Sequence, residues 1–88
     1  MRRERIKAED IKVGDVYIQI YETVTGVKTT LYKKCSKDFN ETKPNLYGIY
    51  LFNHNDFRKG DQGHMPYKKV KLYKPTEEDL NRIMVENL

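Results

Sequence analysis

Eighty-eight residues with a single cysteine leave room for one domain, residues 1–88, and none for an intrachain disulfide. The chain is 38% apolar and 34% charged with a net charge of +4, and its apolar residues cluster, which argues against a disordered chain. No run approaches the ~20 apolar residues of a membrane span, and no apolar stretch follows the charged start as a signal peptide requires, so a cytoplasmic protein without membrane contact is expected.

The charge is unevenly placed. Residues 76–88 carry four acidic side chains and one basic, whereas residues 1–75 carry sixteen basic and nine acidic. A basic body with an acidic tail suits phosphate-bearing or acidic partners.

In chain order, residues 1–5 read as a flexible basic arm, and IKAEDI as a helical turn with Ile6 and Ile11 inward. Gly14 and Asp15 form a turn into the first strand. Residues 16–22 alternate, with Val16, Ile18 and Ile20 on one face and Tyr17, Gln19 and Tyr21 on the other, which is the period of a half-buried strand. A hairpin turn ends at Gly26, and residues 27–35 alternate again. There Val27, Thr29, Leu31 and Cys35 oppose Lys28, Thr30, Tyr32 and Lys34. Residues 36–45 have a loop composition.

Residues 46–53 (LYGIYLFN) form the most apolar run and read as a central strand covered on both faces, with Gly48 at a bulge or close contact. The stretch HNDFRKGDQGHMPYKK follows and reads as a dozen residues of loop entering a basic strand, residues 67–74. Thr76 and Asp79 then form a capping box, with acids in the first turn of the C-terminal helix, residues 77–88. Leu80, Ile83, Met84 and Leu88 line one side of that helix.

These elements predict an α+β fold, predominantly β. The expected form is a small SH3-like barrel or a four-stranded, mostly antiparallel sheet, with one C-terminal amphipathic helix. The segment IKVGDVY resembles the first strand of many small bacterial barrels, a pattern shared by several unrelated families.

Catalysis has little support. Cys35 with His54 or His64 would be the nucleophile and base, but Cys35 shares an apolar strand face and reads as a small buried hydrophobe. His54, Asp56, Asp61 and His64 are metal-ligand types in a spacing that matches no metal motif. The glycines of KGDQG do not make a phosphate loop, although their amides offer an anion nest. No enzyme, cofactor or metal is expected.

The interleaved tyrosines and lysines point elsewhere. Tyr17, Lys28, Tyr32, Lys34, Tyr67, Lys69, Lys71 and Tyr73 fall on the non-core faces of three strands, with Arg58 and Lys59 as a basic rim. Rings that stack on bases, beside ammonium groups that track phosphates, are the chemistry of a single-stranded nucleic-acid surface. The leading expectation is a non-enzymatic module binding RNA or DNA there. The alternative is a protein-interaction module (an adaptor, an assembly subunit or a small inhibitor of a larger enzyme), with the same tyrosines as anchors and a homodimer among the options. A third option is an oligomer whose 54–69 loop closes on a phosphorylated ligand. If the sheet leaves the helix's apolar side uncovered, a partner must cover it.

Overall fold

A computed structural model describes residues 2–54 and 57–86, the side chain of Lys69 excepted. Its strands are β1 (Val16–Glu22), β2 (Lys28–Cys35), β3 (Asn45–Tyr50), β4 (Gln62–Pro66) and β5 (Lys71–Tyr73). The helices are α1 (Phe39–Thr42) and α2 (Glu77–Glu86), and single 3-10 turns occupy Ala8–Asp10 and Tyr67–Lys69. The strands form one open antiparallel sheet in the order β4-β3-β2-β1-β5. The fold is α+β and predominantly β, and no ladder closes the sheet into a barrel among the described residues.

The β1–β2 hairpin runs in uninterrupted register from Glu22↔Lys28 to Val16↔Lys34. Its turn is closed by the Gly26 amide on the Thr23 carbonyl, and Gly26 takes the positive φ of 83° that the turn requires. Because opposed residues share a face, Tyr17, Lys33 and Tyr50 lie side by side on one face, and Ile18, Tyr32 and Tyr73 lie on the other. Both faces are covered. On the Tyr17 face, Tyr17, Cys35, Leu46 and Leu72 meet Ala8, Ile11, Phe39 and Val70, brought in by the N-terminal segment, α1 and the second 3-10 turn. On the Ile18 face, Ile18 and Tyr32 meet Phe52 and Ile83 of α2.

The sheet departs from expectation in three places. It has five strands, not four, because β4 forms inside the stretch that reads as loop. Gln62-Gly63-His64-Met65-Pro66 has no apolar alternation. It pairs because Gly63, opposite Gly48, leaves room for the Tyr50 ring and Met65 lies opposite Leu46; Pro66 is tolerated because β4 is an edge strand. The expected strand over residues 67–74 is a 3-10 turn followed by only three strand residues. Finally, β3 stops at Tyr50 and alternates in burial; the doubly covered strands are β1 and β2. The 36–45 segment holds the short α1, capped by the Asp38 carboxylate on the Asn40 amide at 2.8 Å.

The other edge of the sheet is occupied by the N-terminal arm. The Ile6 amide donates to the Leu72 carbonyl and the Lys74 amide to the Glu4 carbonyl, so residues 4–6 lie along β5. Among the described residues no helix is long and apolar enough to cross a membrane.

Candidate nucleic-acid interface

The Ile18 face gathers five of the expected binding residues: Lys28, Tyr32, Lys34, Lys71 and Tyr73. At one end, exposed Lys28 and Lys71 stand beside half-buried Tyr73 and line a shallow depression of about 160 Å³ with Ile20 and Glu22. The Arg5 guanidinium lies 5.4 Å from the Tyr73 ring centre. At the other end, exposed Lys34 lies opposite Val16 and Ile49.

The same face carries a group absent from the expected set. Tyr47 of β3 and His64 of β4 are directly opposed, with ring centres 5.2 Å apart and planes tilted by 30°. Lys37 sits 4.6 Å over the Tyr47 ring. The alternation of Leu46, Gly48 and Tyr50 toward the core was the available signal for an outward Tyr47; His64 carried none, because β4 itself was not legible.

Tyr32 and the other five expected residues do not join one solvent face. Tyr17 is 1% exposed and lies on the opposite face, its ring reaching over Gly48. Tyr32 is on the right face but buried where α2 packs. Its hydroxyl donates to Asp79 at 3.3 Å and accepts from Arg3 and Arg82, each at 3.4 Å. Tyr67 packs edge-on against Phe39 on the Tyr17 face. Arg58 and Lys59 are exposed in the β3–β4 connection, and the Lys59 ammonium donates to the Glu86 carbonyl at 3.2 Å. The backbone of Lys69 lies in the 3-10 turn. The alternation in β1 and β2 was real, but it did not reveal that both faces would be covered.

Two buried charges frame the sheet. Asp79 is 5% exposed and accepts two 2.8 Å bonds from Arg3, one from the Thr76 amide at 2.9 Å and one from Tyr32. The Arg3 bonds outweigh burial and hold its carboxyl well below the usual carboxylate range. The expected capping box is formed, with the Asp79 amide donating to the Thr76 hydroxyl at 3.1 Å. Lys33 on the Tyr17 face is fully buried, and its ammonium finds no hydrogen-bond partner among the described residues. It lies 4.6 Å over the Tyr50 ring, and burial lowers its pKa to about 8. Burial also raises the Tyr17 phenol, and lowers His54 with help from Arg82 and Lys33.

Cys35 is buried, its thiol donates to the Lys37 carbonyl at 3.2 Å, and burial pushes the thiol pKa up. Among the described residues no three His, Cys, Asp or Glu side chains converge on a metal site; Asp56 lies outside them. Comparison with protein-family models, curated proteins and solved structures returns no match.

Proposed function

We propose that this protein is a non-enzymatic module that binds single-stranded nucleic acid on the Ile18 face of its sheet. The observation that carries the reading is the pairing of rings with lysines at both ends of that face: Tyr47 and His64 beside Lys34 and Lys37, and Tyr73 beside Lys28 and Lys71. The accessible parts of these rings, with His64 exposed and Tyr47 and Tyr73 half-buried, offer stacking worth about 1–3 kcal/mol per base, and the lysines replace the counterions of neighbouring phosphates.

Fluorescence anisotropy with labelled single-stranded DNA and RNA across a salt series tests this. Wild-type affinity should fall steeply with salt. Tyr47→Ala/His64→Ala should weaken binding about tenfold or more, consistent with loss of one stacked base. Lys34→Ala/Lys71→Ala should reduce the salt slope by about one for each phosphate that is no longer neutralised. Tyr32 is left intact in these variants because it anchors α2. Absence of binding at low salt overturns the proposal, and unchanged affinity in the aromatic variant overturns the stacking role.

A further inference from the structure

Two features stand outside the nucleic-acid face. The first is the outer flank of α2. Asp79 and Ile83 take the side of the helix against the sheet, and Glu77, Leu80 and Met84 recur at i, i+3 and i+7 on another side. Leu80 is 44% exposed and Met84 62%, so the sheet leaves this apolar pair uncovered. The second is a groove of about 370 Å³ on the opposite side of the molecule, between the N-terminal segment, α1 and the second 3-10 turn. Its floor has Ile6 and Leu72, and its exposed rim carries Lys7 and Lys43 against the single acid Glu9.

We propose that α2 of one copy docks into this groove of a second copy. Leu80 and Met84 fill the floor, and Glu77 meets the basic rim. The match is one of both polarity and charge. The helix flank is apolar with an acid at its N-terminal end, whereas the groove has apolar side chains at its base under a polar, mainly basic margin. The wider segments agree, because residues 76–88 are net acidic and residues 1–75 net basic. A molecule's own helix cannot make this contact, because the Asp79–Arg3 ion pair and Ile83 hold it on the other face. The groove volume is near the lower end of the ~300–1,000 Å³ range of binding pockets, which suits a few side chains better than a whole helix. The contact uses different surfaces on the two copies and is therefore heterologous, building pairs or longer species as concentration rises.

Sedimentation equilibrium of the full chain from ~10 μM to ~1 mM, at low and high salt, reads the association directly. Mass should rise above the monomer with concentration and fall back with salt. Leu80→Ser/Met84→Ser removes the helix flank, and Lys7→Glu/Lys43→Glu reverses the groove rim. All four positions are exposed, and far-UV circular dichroism checks that both proteins fold. Each variant alone should be monomeric. An equimolar mixture should form a heterodimer, because the helix variant keeps its groove and the groove variant keeps its helix. A wild type that stays monomeric throughout, a variant that still associates, or a mixture that does not, overturns the proposal.

Discussion

Lys33 and Asp79 are both buried charged residues, one under each face of the same sheet, and their surroundings are opposite. Asp79 has a partner for each carboxylate oxygen, from an arginine, a tyrosine hydroxyl and a backbone amide. Lys33 has the face of a tyrosine ring and, among the described residues, no hydrogen-bond partner for its ammonium. Burial disfavours both ions, but bonds to the charged form overcome it at Asp79 and nothing does so at Lys33. The first site fastens the molecule together, joining the N-terminal arm, β2 and α2. The second is a standing cost that the rest of the Tyr17 face must offset.

Removing the Asp79 carboxylate should have the largest effect. Asp79→Ala leaves Arg3 half-buried without its carboxylate and removes the side-chain half of the capping box, while the Thr76 hydroxyl still caps the amide at position 79, for a loss of about 4 kcal/mol in urea unfolding. The acid limb of stability belongs to the same group. Its folded pKa is depressed, so its contribution is full above the ordinary carboxylate value and is lost progressively as pH falls from there toward the depressed folded value. Asp79→Asn should lack that limb, and an unchanged acid profile would show that other carboxylates govern it.

Lys33 should behave in the opposite sense. Between its folded value of about 8 and its ordinary 10.5 the unfolded chain holds a proton that the folded chain does not, so stability rises with pH through that window and is flat below it. The gap is worth about 3 kcal/mol. Lys33→Met should be more stable than wild type at pH 7, and the difference between them should shrink as pH climbs from 8 to 10.5. A variant less stable than wild type at pH 7 would mean that the ammonium contributes more than its burial costs.

Gly48→Ala probes how rigid the Lys33 site is. The new methyl would collide with the Tyr17 hydroxyl and stand 3.1 Å from two carbons of Lys33. A loss of about 2 kcal/mol is expected, and a neutral result would show that these side chains can move aside. The smallest effect belongs to Tyr32→Phe, which removes one of Asp79's bonds and should cost about 1 kcal/mol. Hydrogen exchange should find that loss concentrated in the amides of α2.

Much of the local structure was legible in the chain. The alternation of residues 16–22 and 28–35 placed β1 and β2, Gly26 marked their turn, and Thr76 with Asp79 marked the start of α2. Cys35 could be read as buried from Leu31 at i−4 on the same face, although Val27 at i−8 is exposed. The Tyr/Lys surface was legible only in part. Period two sorts residues onto two faces but is silent on which face will be covered; here both are, and Tyr17 and Tyr32 are buried on opposite sides.

Patterns that repeat along the chain, with the turns and caps that punctuate them, were therefore determined by the sequence alone, because they depend on residues within one or two turns of each other. Tertiary structure decided the rest. β4 exists only because Gly63 and Met65 meet the residues of β3 that suit them. Tyr47 and His64 become neighbours only through that pairing. The lone charge of Lys33 and the shared charge of Asp79 differ chiefly in what the fold brings to them: beside its local cap, Asp79 takes donors from residues 76 and 47 positions away. Contacts over such separations carry no periodic signal, and whether a buried ion is satisfied is set by them.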